Sequence, residues 1–389
     1  MKNDKKTTVQ ILEDLIRFKV LGGESNLSII EYIESYLSEY DVDYHLVRNE
    51  AEQKASIHCR IGPAVDGGII LSGHTDVVPV EGQEWDTDPF ELTDVGDKYF
   101  ARGSCDMKGF NACCLAALPE MLAADLKYPI YFAFSYDEEV GCLASEDLAE
   151  DILKTYPEKP TYCLVGEPTM MKPTIGQKGI AIFVTSLNGS AGHSSRIKQE
   201  VSAIHEGAKL ILWLENKMDT LIRDGQIDDR FTPPHTSIHC GISKKSGVAP
   251  NVIADHFEFY WDVRVIPKDD EEQIKKDFDA YCEEKMNILR QRFPEFKIET
   301  KAWHPPVLPL DTSADKPIVE LTKSWSGVTE LDAVSYAAEA GFFSAAGFET
   351  IICGPGDIAQ AHRANEFIAK DQLRKGEEMI RNIIAHFSK

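Results

Sequence analysis

The sequence predicts an α/β fold, a central mixed sheet flanked by helices, with a smaller α+β domain inserted into it. Three observations carry that expectation. Between about residues 54 and 165, short apolar runs alternate with helix-like stretches, as in a sheet covered by helices. Four apolar runs each lead into a histidine or a carboxylate. Residues 68–71 lead into His74 and Asp76, and 131–136 into Asp137, Glu138 and Glu139. Residues 162–165 lead into Glu167, and 351–353 pass through a Gly-Pro-Gly loop to His362. In open α/β sheets the carboxyl edge of the strands is where ligands bind. Beyond Gly179 the pattern changes to β-α-β-β-α-β.

Taken along the chain, residues 7–40 read as two helices, with Ser25-Asn26 as the cap between them. Small and apolar residues from 111 to 124 suit a helix packed on the sheet. The insert reads as a strand (180–187), a helix (201–222), two strands (236–242 and 256–265), a charged helix (269–289) and a short strand (297–303). That order is the split βαβ, ferredoxin-like arrangement. A helix near 315–325, a last strand at 349–353 and a closing helix near 370–387 return the chain to the first domain. The expected division is 1–178 and 304–389 for the outer domain and 179–303 for the insert. His362 then shares a domain with His74.

A chain of 389 residues suffices for two domains with a substantial core. The formal charge of −23 argues against a nucleic-acid or anionic-membrane partner, because both need a basic footprint. No apolar stretch approaches the roughly 20 residues of a membrane helix, and M-K-N-D-K-K-T-T-V-Q leads into no signal-type apolar core. None of the nine cysteines is spaced as C-x-x-C, and Cys163 and Cys353 lie inside apolar runs, where a thiol behaves as a small hydrophobe. A reduced, cytoplasmic protein is expected.

Zinc accepts imidazole nitrogen and carboxylate oxygen, and catalytic sites leave a position open for water. Two histidines and three carboxylates can hold two ions if one carboxylate bridges. A single histidine after a strand is more often structural than a ligand. The weight lies in five such residues together, counting Asp106 in R-G-S-C-D-M-K-G. Asp76, two residues past His74, lies on the same side of an extended segment, where its carboxylate can accept the imidazole's second N–H. Glu138 and Glu139 point to opposite sides of such a segment. A division of labour is expected, one binding metal and the other taking a proton from water.

The motifs S-G-H-T-D-V-V-P-V, R-G-S-C-D-M-K-G, S-Y-D-E-E-V-G-C, V-G-E-P-T, G-H-S-S and C-G-P-G-D-I-A-Q-A-H span nearly the whole chain. Together they resemble the acetylornithine deacetylase branch of the dinuclear zinc metallopeptidase and deacylase family. Relatives of that branch include succinyl-diaminopimelate desuccinylase, aminoacylase and glutamate carboxypeptidase. The resemblance implies a zinc-peptidase-like catalytic domain with two divalent ions, zinc or alternatively cobalt. It implies His74 and Glu167 on one ion, Glu139 and His362 on the other, Asp106 bridging, Glu138 as general base and a cis peptide after Asp106. It further implies that His193 stabilises the oxyanion, often from the partner subunit of a homodimer built through a lid-like insert. Arg264 and Asn251 match positions that bind the substrate carboxylate, which arginine can grip bidentately.

The family's G-T-E-A-G segment stands here as Ala337-Ala338-Glu339-Ala340-Gly341, and Trp303-His-Pro-Pro306 also departs from the usual pattern. Both departures leave the substrate side chain open. The implied activity is hydrolysis of a small N-acyl amino acid, foremost N2-acetyl-L-ornithine, a step of arginine biosynthesis. The alternatives are another N-acyl amino acid or diamino acid, a dipeptide, or a homologue that binds metal or ligand without catalysis.

Overall fold

Four strands run parallel at the centre of the larger sheet of the computed structural model, which describes residues 5–244 and 246–389. They are, in spatial order, Ile130–Ser135, Ile69–His74, Tyr162–Val165 and Glu349–Ile352. Every residue of the first two is buried, the continuous apolar pattern of strands covered on both faces. Tyr44–Arg48 and Ala55–Ile61 extend the sheet antiparallel on one side. Thr174–Gln177, Leu310–Asp311 and Asp332–Val334 complete the other. Because the central strands are parallel, their carboxyl ends share one edge. The residues that follow them are thereby brought together.

The helix Lys108–Ala123 packs on these strands and is buried without interruption from Lys108 to Leu118. It therefore lacks a polar face, as expected of a helix enclosed by the sheet and by Thr8–Ile16 and Lys370–Phe387. It begins three residues earlier than its apolar pattern predicts, directly after a cis Asp106–Met107 bond.

Asn26 does not cap the helix Leu27–Glu39 with its side chain. Buried, it donates to the Ala55 carbonyl (2.8 Å) and accepts the Ala55 N–H (2.9 Å), tying the helix start to the sheet. A side-chain cap does occur at Thr7, which forms a reciprocal capping box with Gln10. A three-stranded antiparallel sheet of Thr93–Val95, Lys98–Phe100 and Phe367–Ala369 escaped prediction. Strands of three residues carry no readable alternation.

The chain divides into two units, the second comprising Gln177–Pro309 and a short return at Val334–Ala337. That return falls within the stretch the sequence reading gave to the outer domain. The Lys178 N–H bonds the Val334 carbonyl (3.2 Å), and Ser335 Oγ donates to the Thr232 carbonyl (2.8 Å). The second unit follows β-α-β-β-α-β, with sheet order Ser237–Lys244, His256–Val265, Gly179–Asn188, Lys297–Ala302, all antiparallel. Helices Ala203–Asp224 and Glu271–Leu289 contribute to its apolar core, where Phe183, Phe259, Trp261 and Phe278 meet. No helix among the described residues is long and apolar enough to cross a membrane. All nine cysteines are free thiols.

Candidate metal centre

His74 ends its strand with the ring fully buried. Its Nδ1 lies 2.9 Å from the Asp76 backbone carbonyl, which can only accept, so Nδ1 carries the proton. Nε2 then faces Asp106 Oδ1 at 3.0 Å and Glu167 Oε1 at 4.0 Å. The Asp76 carboxylate stands farther from the ring, at 3.6 Å. Its oxygens instead accept the backbone N–H groups of Glu138 and Glu139, both at 3.2 Å. The imidazole is thus oriented by a main-chain oxygen, and the side chain of Asp76 grips the glutamate pair.

Asp137 leads into that pair in a left-handed conformation (φ 55°). It accepts the Gly23 N–H (2.8 Å) and pairs with Lys54 at 2.5 Å, both side chains largely buried. Asp106 sits between the two imidazoles, with Oδ2 3.7 Å from His362 Nε2. His362, also left-handed (φ 62°), places Nε2 2.9 Å from Glu139 Oε2, with its side chain 58% exposed. Ligand atoms of His74, Asp106 and Glu139 lie within 4.8 Å of one another, as do those of His74, Glu138 and Glu167. His74, Asp106, Glu138, Glu139, Glu167 and His362 therefore meet at the carboxyl edge of the parallel strands.

This donor set fits divalent cations. Glu167 Oε1 is buried without a hydrogen-bond partner, and an orphaned buried carboxylate oxygen is costly unless a cation accompanies it. Burial, with Asp106 and Glu138 nearby, pushes Glu167 well above the usual carboxylate range. Burial also holds Glu138 well above that range despite the opposing pull of His74. Glu139 is pushed to about 7 by burial and Asp106, with His362 opposing. Burial works against charge on His74, but bonding to Asp106 and the nearby Asp76 carboxylate raise it well above an ordinary imidazole. Bonding to Glu139 raises His362. Carboxylates crowded out of water draw positive charge toward themselves.

Sequence reasoning missed the groups beneath this cluster. The buried carboxylate of Glu339 accepts Ser72 Oγ (2.6 Å) and Ser135 Oγ (2.7 Å), hydroxyls on the strands that end in His74 and precede Glu138. Glu366 and Arg102 form a fully buried ion pair at 2.7 Å. The available signals were slight: hydroxyls inside otherwise apolar strands, and an arginine four residues before Asp106.

The second unit carries His193, Asn251 and Arg264. His193 lies in a two-residue strand paired with Val252–Ile253, and its ring is exposed. Nδ1 accepts the Ser195 N–H (3.3 Å), so Nε2 carries the proton as a donor. Asn251 is exposed, and its carbonyl accepts the Ser194 N–H (2.9 Å). Arg264 Nε donates to Asp262 Oδ2 at 2.9 Å.

An α/β sheet with imidazoles and carboxylates converging at its carboxyl edge is the architecture of a metal-dependent hydrolase. A profile of Peptidase family M20/M25/M40 matches residues 70–386, and the chain belongs to that family. An acetylornithine deacetylase of Aliivibrio salmonicida (strain LFI1238) is 30% identical over 347 residues, covering 89% of this chain and 88% of that protein. Among solved structures, the M20 family metallo-carboxypeptidase Sso-CP2 from Sulfolobus solfataricus superposes with a TM-score of 0.77 at 18% identity, covering 98% of this chain and 99% of that one. Human carnosine dipeptidase 1 superposes with a TM-score of 0.71 at 16% identity, covering 98% and 96%. These structures share the fold.

Proposed function

We propose that the protein hydrolyses an N-acyl amino acid, foremost N2-acetyl-L-ornithine, to acetate and L-ornithine, serving arginine biosynthesis in the cytoplasm. The observation that carries this reading is the convergence of His74, Asp106, Glu139, Glu167 and His362 beside a half-buried Glu138. His74 and Glu167 would hold one ion and Glu139 and His362 the other, with Asp106 shared. Mixed nitrogen and oxygen donors suit zinc, and cobalt accepts the same set. When bound, the ions would polarise the scissile carbonyl and acidify water.

Glu138, its backbone gripped by Asp76, takes a proton from the attacking water and delivers it to the departing amine. One water is consumed, the C–N bond breaks, and the acid and amine leave. His193 presents an Nε2–H to the carbonyl oxygen as it gains charge, a contribution of about 3 kcal/mol for donors of this kind. Arg264 and Asn251 bind the substrate carboxylate. The second unit, on this reading, is the lid and dimerisation domain of a homodimer.

A second reading, dipeptide hydrolysis, uses the same chemistry at the scissile amide. Ala338, a buried methyl where the resembling family has threonine, leaves substrate choice open to it. The test is a release assay with acetylornithine, acetylcitrulline, succinyl-diaminopimelate and small dipeptides, with metal content measured on the same sample. Preference for acetylornithine supports the proposal. Turnover confined to dipeptides replaces it, and no turnover by metal-loaded protein removes it.

A further inference from the structure

We infer that Glu366, Arg102 and Gln83 form a positioning network that ties the His362 loop to the Asp106 turn, and so governs the metal-binding step that uses His362 more than the one that uses His74. The inference rests on the reading that the five ligand residues hold two ions.

Glu366 lies four residues past His362 and is buried. Its Oε1 accepts the N–H groups of Cys105 (2.9 Å) and Asp106 (3.1 Å). Its Oε2 accepts the Gly103 N–H (3.0 Å) and Arg102 Nη1 (2.7 Å). The turn that delivers Asp106 therefore closes on a single carboxylate. Arg102, equally buried, extends Nη2 to Gln83 Oε1 (2.7 Å). Gln83 Nε2 in turn donates to the backbone carbonyl of His362 (2.9 Å).

A continuous circuit results. It runs from the Asp106 backbone through Glu366, Arg102 and Gln83 to the His362 backbone, and returns to Glu366 along the chain. Asp86 and Asn365 rivet the same two loops. The Asp86 N–H donates to Asn365 Oδ1 and Asn365 Nδ2 donates to Asp86 Oδ2, both at 2.9 Å.

The two sides of the cluster are held differently. His74 is fixed by its strand, by the Asp76 carbonyl and by Asn111 Nδ2, which donates to the His74 carbonyl (2.6 Å). Glu167 follows a strand paired on both sides. His362 sits on an irregular loop with a half-exposed ring, and its approach to Asp106 depends on what ties that loop down. Groups that orient metal ligands through hydrogen bonds typically change affinity about 10- to 100-fold when removed.

The experiment is calorimetric titration of chelator-stripped full-length protein with zinc chloride. It compares the native chain with Gln83→Ala and Arg102→Lys, and records a thermal melt of each metal-free sample. Lysine keeps the charge opposite Glu366 but lacks the fork that reaches both Glu366 and Gln83. The inference expects two steps in the native chain, with one weakened about tenfold or more by Gln83→Ala and the other within twofold, and with Arg102→Lys weakening that same step more than the other. Equal weakening of both steps overturns it, as does no change in either. A native chain that saturates at one equivalent of zinc refutes the two-ion reading itself, a separate outcome. Gln83 lies near the surface, so its variant decides the matter if Arg102→Lys melts early.

Discussion

Asp76→Asn separates two jobs that a carboxylate beside a metal-ligating histidine can perform. In the structure the carboxylate accepts two backbone N–H groups, those of Glu138 and Glu139, at 3.2 Å each. Asparagine offers one oxygen and one NH2, so one of these buried donors meets another donor. An unsatisfied buried N–H costs about 1–3 kcal/mol. At about 1.4 kcal/mol per tenfold, that corresponds to roughly 5- to 150-fold in kcat/KM if the strain falls on the glutamate pair. The His74 ring bonds the Asp76 main-chain carbonyl at 2.9 Å, which the substitution leaves in place. Metal content is therefore expected to stay native while kcat/KM falls. The assay is acetylornithine hydrolysis with metal analysis on the same preparations. Native kcat/KM in the variant refutes the reasoning. So does a loss that tracks a missing ion and vanishes when metal is added, since that would place the effect in metal retention and not in Glu138.

Glu138→Gln removes the proposed proton carrier and retains the shape, so kcat is expected to fall about 10²–10⁴-fold with metal content unchanged; substantial residual turnover would remove Glu138 from the mechanism. His58 is buried between Asp151 (2.9 Å) and Tyr156 (3.1 Å), and burial holds its pKa below the ordinary value despite Asp151. The unfolded chain binds that proton near pH 6.5 and the folded chain resists it, so the stabilisation is whole above about pH 6.5 and is lost as pH falls below it. Thermal midpoints between pH 7.5 and 5.5 should drop more steeply for the native chain than for His58→Gln, and parallel curves would contradict this. Gly207 lets its helix approach Phe257, since a Cβ there would stand 2.2 Å from the ring. Gly207→Ala is expected to destabilise the second unit by about 1–3 kcal/mol, read as a lower denaturant midpoint; an unchanged midpoint would mean the helix shifts without cost.

The centre was legible in the sequence because most of its imidazoles and carboxylates follow buried strands. An apolar run ending in His74 or Glu167 announces both the strand and the edge it reaches. The second unit was legible for a related reason, since Gly179–Asn188 and His256–Val265 alternate buried and less buried positions along much of their length. Glu366 and Arg102 were not legible. A buried charge and a surface charge are the same letter, and only the fold places Glu366 against the Asp106 turn. The function of Asp76 was half legible. Its neighbourhood to His74 is a matter of spacing, but the preference of its carboxylate for the N–H groups of Glu138 and Glu139 depends on a loop 62 residues away. The return at Val334–Ala337 was hidden because one main-chain bond and the Ser335 hydroxyl, not a periodic side-chain pattern, tie it to the second unit.

The most direct measurement is anomalous diffraction from crystals of the full-length protein grown with zinc, collected on either side of the zinc edge. Two peaks are predicted, one between His74 and Glu167 and one between Glu139 and His362, with Asp106 contacting both. A single peak, or metal bound away from these residues, would contradict the account.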